Sequence, residues 1–242
     1  MIDKTTIIED GAVIDASAII GPFCFIGKDV VIASGVTIAS NVILKGKTTI
    51  EEDVKVFSFA TIGHADSTIR IGARTHVREF AQIGTQESEN SNTIDISNDN
   101  FIMAYVQIMG GVTIANNCVL TNAVRLYDNV TCQERVIIGG LSTIEANNHI
   151  GTGVMVGGAS YVNHDIPPFC LVEGNRSTIK GLNIIGLRRR LNNSEDIEEI
   201  KAAYKKLINN GINKELAKVV QEETTNSYVK LFAEFVEKSN LV

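Results

Sequence analysis

A six-residue repeat of aliphatic side chains limits what this chain can fold into more than any other feature. Every sixth residue from Ile8 is aliphatic: Ile14, Ile20, Ile26, Ile32, Ile38, Leu44, Ile50, Val56 and Ile62 follow. With 44% of the chain hydrophobic, ten hits in one frame arise by chance about once in 4,000 trials. The frame slips by three residues across HADSTIR, resumes at Ile71, Val77 and Ile83, and is interrupted again by TQESENSNT. It then runs from Ile96 through Ile102, Ile108, Ile114, Leu120, Leu126, Cys132, Ile138, Ile144, Ile150 and Val156 to Val162 without a miss.

An α-helix cannot hold a period of six on one face, and an ordinary strand repeats every two residues. Short strands separated by tight turns can, each sending one aliphatic side chain into a shared interior. Three hexads close a triangular coil of 18 residues, and stacked coils pair through parallel hydrogen bonds. The reading is mainly β: a parallel β-helix. Small residues just after the inward position (Ala33, Ala39, Gly63, Gly84, Gly139, Gly151, Gly157) are expected to form the turns. The chain has three prolines where average usage gives about a dozen. Pro22 and Pro167-Pro168 account for all of them, as expected if proline would interrupt the ladder.

The pattern changes after Pro168. Ser194 or Asn193 can cap a helix whose Ile197, Ile200, Tyr204, Leu207 and Ile208 share a face, with Gly211 as its stop. Val229, Phe232, Phe235 and Val236 mark a last helix. The expected division is a β-helix with an end segment over 1–190 and an α-helical C-terminal cap over 191–242.

Several classes drop out on composition. A net charge of −6 with this apolar content excludes disorder. No apolar run of about 18 residues exists, so no membrane span is expected. The start, MIDKTTIIEDGAV, lacks a basic segment ahead of an apolar one, so no cleaved export signal is expected. Basic residues cluster only at Arg188-Arg189-Arg190, which argues against a nucleic-acid partner. Cys24, Cys118, Cys132 and Cys170 have neither CxxC spacing nor a histidine pair beside them, and read as buried free thiols of a cytoplasmic protein. No three histidines converge as a metal centre would need, and no cofactor is expected.

Motifs spread over the whole chain resemble one family. They are IGPFCFIG in the first coils, DNFIM at 99–103, IIGG at 137–140, VMVGG at 154–158, HDIPPF at 164–169, EGN at 173–175 and GLNIIGLRRR at 181–190. Together they resemble the acyl-carrier-protein-dependent UDP-N-acetylglucosamine O-acyltransferases that begin lipid A synthesis. The resemblance implies a left-handed coil, a homotrimer, and active sites in grooves between neighbouring subunits. It also implies acyl carrier protein and a sugar nucleotide as partners. The reaction implied is attack of a sugar hydroxyl on an acyl thioester, which needs a general base free of its proton near neutral pH.

At the family's histidine positions this chain carries other residues. Gln107 and Gly110 flank Ile108, Gly111 replaces the following acid, and Asn129, Glu145 and Gly84 stand at the remaining ones. Ile108, Leu126, Ile144 and Val162 are 18 apart, so they stack in one column and Gln107, Gly110, Asn129 and Glu145 share a stripe. Glu145 is the one ionisable group among those four, and it could act as a base if burial raised its pKa; the alternative is a solvated surface carboxylate. His76 and His149 each precede an inward aliphatic and should point outward, and His64 lies in the first slip. His164 ends the stripe three coils past Gly110, about 14 Å away.

Other matches survive. Gly140 corresponds to the glycine whose N–H polarises the thioester carbonyl, although a tight turn would also want glycine there. Gly158 matches the position that limits acyl length, and its missing side chain leaves the groove open. Asn183, Arg189 and Arg190 match residues that hold the nucleotide diphosphate, while Ile185 replaces an acidic partner. The loop from Gly63 to Ile71 is shorter than the family's. The functional expectation is a divergent acyltransferase with weakened or altered standard activity. Its alternatives are a non-catalytic trimer that binds acyl carrier protein or a sugar nucleotide, and an enzyme with a different reaction on carrier-bound chains.

Overall fold

The computed structural model describes residues 1–84, 91–191, 193–209 and 212–239. Gly211, the expected helix stop, and most of the TQESENSNT excursion lie outside them.

The hexads become very short strands, most of two residues, that stack into three sheets. Face one has nine strands, from Ile7–Ile8 to Tyr161–Val162. Face two has eight, from Val13–Ile14 to His149–Ile150. Face three has ten, from Ile19–Ile20 to Thr178–Leu182. Every pairing between coils is parallel until the last, where Cys170–Glu173 meets Thr178–Leu182 antiparallel and closes the stack. Both slips of the repeat fall at the corner between faces one and two. Beyond that corner Lys47–Ile50, Thr68–Ile71 and Thr93–Ile96 pair in register, so the ladder is undisturbed.

From Ala18 onward each described hexad buries two residues rather than one. Besides the aliphatic, the residue two places earlier is inward: Val30, Val36, Val42, Val54, Val106, Val112, Val124 and Val136 are fully buried. Where that residue is polar it bonds a corner carbonyl, as Thr48 Oγ1 does to Lys45 O (2.6 Å) and Asn100 Nδ2 to Ser97 O (2.7 Å). At most corners the left-handed residue is the third after the inward aliphatic; of the residues directly after it that the sequence suggested, Gly63 (84°) and Gly84 (56°) hold positive φ. Among the described residues sixteen non-glycines hold positive φ, including Phe23, Phe59, Phe80, Tyr105, Asn129 and Leu141. Gly139 and Gly151 answer a different need. A Cβ there would lie 2.5 Å from the Gly158 nitrogen and 2.4 Å from the Pro168 nitrogen, so the neighbouring coil approaches too closely for a side chain.

All four cysteines are free and buried, and burial pushes the Cys118 thiol up to about 11. Helices begin earlier than expected: α1 spans Ile184–Arg190, before the anticipated boundary at 191. α2 (Ser194–Tyr204) continues into a π-helical turn, Lys205–Asn209, with Asn193 rather than Ser194 as its cap. α3 (Lys214–Glu223) was not legible in the sequence, and α4 (Ser227–Lys238) matches the last helix expected. Leu187, Ile200, Leu207, Val220 and Phe232 join these helices to the solenoid in one continuous core. No helix among the described residues is long and apolar enough to cross a membrane.

Candidate active site

Face one carries the stripe. Gln82, Gln107, Arg125, Thr143 and Tyr161 are register partners on five successive coils, and each precedes an inward aliphatic, so their side chains point outward. Gln107 is the centre of a polar ladder. Its Nε2 donates to Gln82 Oε1 at 3.2 Å, and its Oε1 accepts from Arg125 Nε at 2.7 Å. The Arg125 guanidinium also lies 6.0 Å from the Tyr127 ring centroid, a cation–π distance. Of this row only Gln107 stands where the resemblance implies an imidazole, and it carries an amide held beside the Arg125 cation. Such a row can hold an acceptor or an anion, but none of its members takes up a proton near neutral pH.

The other three stripe residues stand along the corner between faces one and two. Gly110 is buried, and its carbonyl accepts the Asn129 N–H at 2.9 Å. Asn129 has φ of 59°, and its Nδ2 donates to Asn147 Oδ1 at 3.0 Å. Asparagine is among the few residues that accept left-handed backbone readily, so the corner itself accounts for Asn129. Glu145 is exposed, without the burial that the sequence reading asked of it as a base. Desolvation first, then the Glu145 charge, holds the Tyr161 phenol above its ordinary pKa.

Gly140 and Gly158 occupy the opposite edge of face one, at its corner with face three. The two are stacked: Ala159 N donates to Gly140 O at 2.8 Å. Neither has the positive φ that would demand glycine; that falls on the next residues, Leu141 (62°) and Ala159 (54°). A Cβ on Gly158 would meet Gly140 O at 3.4 Å, an ordinary contact. The turn therefore does not explain these two glycines.

Asn183, Arg189 and Arg190 lie elsewhere. Asn183 caps α1, accepting from Gly186 N at 2.9 Å and donating to Gly153 O at 3.1 Å. Arg190 reaches the corner between faces two and three, where it donates to Arg135 O at 2.9 Å; burial, then the Arg135 charge, lowers its pKa. It lines a cavity of about 530 Å³ with Arg135, Phe169 and Tyr228. Arg189 is exposed. That corner is the one opposite face one, so a single chain does not bring its arginines to the stripe.

The histidines are mostly outward, as expected. His149 is on face two, its side chain 56% exposed, with Nδ1 3.3 Å from Asp165 Oδ1. Asp165 is buried and also accepts the His149 backbone N–H at 2.7 Å. His76 packs against Phe57 and Phe101, and burial, then Lys55 and Arg78, lowers its pKa. Arg125, Tyr127, Tyr161 and the His149–Asp165 pair were missed from sequence. For Arg125 the signal was present: it stands 18 residues after Gln107 and so directly next to it on the face.

Comparison with known proteins agrees with this architecture. The family described as Udp N-acetylglucosamine O-acyltransferase, Domain 2, matches residues 165–241, and the bacterial transferase hexapeptide family matches residues 5–40. The acyl-[acyl-carrier-protein]–UDP-N-acetylglucosamine O-acyltransferase of Aliarcobacter butzleri is 40% identical over 245 residues, covering 97% of this chain and 94% of its own. The like-named protein of Nautilia profundicola is 40% identical over 198 residues, covering 78% of this chain and 76% of its own. Among solved structures, the UDP-N-acetylglucosamine acyltransferase from Campylobacter jejuni superposes with a TM-score of 0.94 at 32% identity, over 99% of this chain and 97% of that one. The Francisella novicida enzyme gives 0.92 at 29% identity, over 99% and 92%. A fit that close requires the same hand of coiling. With the fold, the helical tail and these identities in agreement, the chain belongs to the acyl-carrier-protein–UDP-N-acetylglucosamine O-acyltransferase family.

Proposed function

We propose that this protein binds acyl carrier protein and a UDP-amino sugar in a groove between subunits of a homotrimer, and acylates a sugar hydroxyl far more slowly than a histidine-bearing member would. The observation that carries this reading is the chemistry of the stripe. Gly110 offers no side chain at the base position, Gln107 is tied into a ladder with Gln82 and Arg125, and the Glu145 carboxylate is exposed. Loss of a general base costs a factor of about 10² to 10⁴ in rate. The groove's other elements remain available: Gly140 and Gly158 at one edge of face one, and Asn183, Arg189 and Arg190 behind it. Because these groups lie on different sides of one prism, a neighbouring copy is needed to complete the site, which supports an assembly of subunits.

The test is mass spectrometry of the purified protein with a panel of acyl carrier proteins and UDP-N-acetylglucosamine. The expected result is acylated sugar nucleotide at a rate at least about a hundredfold below a histidine-bearing relative assayed in parallel. Product at the relative's rate would sink the impaired-site reading. If slow product forms, Glu145→Gln should abolish it, and full activity in that variant removes Glu145 as the base. Capture of acyl carrier protein with no product over long incubation selects the non-catalytic homologue instead.

A further inference from the structure

Face two ends in a second group of chemistry-bearing side chains, on a different side of the prism from the stripe. Thr131 and His149 are register partners on neighbouring coils, each outward before an inward residue. Asp165 lies one coil further on, beside the bridge from Ile166 to Ile150. Its carboxylate meets His149 at two points: Oδ1 accepts the backbone N–H at 2.7 Å and stands 3.3 Å from the ring Nδ1. The Asp165 side chain is 6% exposed and that of His149 is 56% exposed. A buried carboxylate thus fixes an exposed ring through one nitrogen. In the neutral ring it keeps the proton on Nδ1, so Nε2 carries the lone pair. Base and orienting acid stand as general-base catalysis requires.

The pair does not stand on open surface. His149 and Asp165 line a cavity of about 430 Å³ between face two and α4, a size that suits a small molecule. Leu231 and Phe235 give it an apolar wall, and Thr131 and Gln133 a polar one. The Gln133 amide is set in one orientation. Its Oε1 accepts both the N–H (2.9 Å) and the hydroxyl (3.1 Å) of Thr152, which leaves Nε2 as the end that donates. Glu234 and Lys238 also line the cavity but pair with each other at 2.6 Å. A base for water, a neutral donor for a carbonyl oxygen and an apolar seat for a chain are the parts that hydrolysis of an acyl ester needs.

We infer that this cleft hydrolyses esters of short acyl chains, with His149 as the general base. Nε2 takes a proton from water as the water oxygen bonds to the acyl carbon, and Gln133 Nε2 donates to the carbonyl oxygen as it gains charge. When the bond from the acyl carbon to the leaving oxygen breaks, the proton passes from Nε2 to that oxygen, so an acid and an alcohol depart. Asp165 is a positioning residue that holds the ring. The reaction uses neither the face-one stripe nor a carrier-bound chain, and so stands apart from the acyl transfer proposed above.

The experiment follows p-nitrophenol release from p-nitrophenyl butyrate and acetate by the intact protein, with neither acyl carrier protein nor sugar nucleotide present. Release should exceed that by free imidazole at equal concentration at least about a hundredfold, with the lower KM for the butyrate. His149→Gln should lower kcat about a hundredfold with KM little changed. His149→Ala should regain rate when imidazole is added, which a merely structural histidine would not. Asp165→Asn should lower kcat at least about tenfold. If that variant melts early because the carboxylate is buried, the two His149 variants carry the test, since that ring is exposed. Release no faster than by free imidazole, parental kcat in His149→Gln, or no rescue of His149→Ala would overturn the inference.

Discussion

Asn129 shows how one residue can read as catalytic and be structural. It stands at a histidine position of the family, in the stripe, and so entered the candidate site by position. The chain uses it as the left-handed residue of a corner, with Asn147 bonded beneath it. Asn129→Gly should therefore keep both stability and any slow acyl transfer, because glycine accepts the same φ without strain. Asn129→Val should lose about 1–3 kcal/mol, since a β-branched side chain is strained there. Denaturant melts of the two variants check this, and loss of activity in Asn129→Gly would return the residue to the reaction. Gln107 carries the opposite lesson. Its position was legible, and so was Arg125 one coil of 18 residues on, but Gln82 was not, because it is 25 residues away across a break in the repeat.

Among elements, α1 is where the functional and structural readings of a residue compete most directly. The resemblance gives Asn183 a nucleotide to hold, whereas its side chain already serves the helix start and the Gly153 carbonyl. Asn183→Ala should cost about 1 kcal/mol of stability with no nucleotide present, as loss of a helix cap does. Unchanged melting of that variant in the absence of nucleotide would assign Asn183 to ligand binding alone. The solenoid strands were far more legible than this helix. The inward aliphatic of each hexad repeats so regularly that its burial could be read from the period, although the second inward residue, two places earlier, could not. Seven residues of α1 carry no such rhythm, and the helix forms because Leu187 has a core to enter and Asn183 a carbonyl to meet.

For the molecule as a whole, one exposed feature calls for a partner. Along the corner between faces three and one, Phe23, Phe59, Phe80, Tyr105 and Leu141 are 64%, 50%, 41%, 57% and 72% exposed. The rings of Phe59, Phe80 and Tyr105 stack, with centroids 5.1 and 4.9 Å apart and planes within 3°. Asn41 separates Phe23 from the rest, but the apolar ridge from Phe59 to Leu141 marks an interface rather than a solvated edge, and it adjoins Gly140 and Gly158. Phe80→Asp should convert the proposed trimer to monomer in sedimentation velocity while the solenoid stays folded by circular dichroism. A trimer that survives this change would move the interface away from the ridge.

The sequence by itself determined the β-helix, the 18-residue coil, the burial of the aliphatic column and the absence of histidine at positions 107, 110, 129 and 145. All of these follow from which side of a short strand a residue faces, a local property that the period of six records directly. Only the tertiary structure decided what the outward residues meet. It set the Gln82–Gln107–Arg125 ladder, the exposure of Glu145 and the left-handed corner under Asn129. It also placed Arg190 against Arg135, 55 residues back along the chain. Those contacts depend on how many residues each corner extrudes and where the helical tail folds back. Neither is written in the repeat, because the repeat specifies the interior and leaves the surface free.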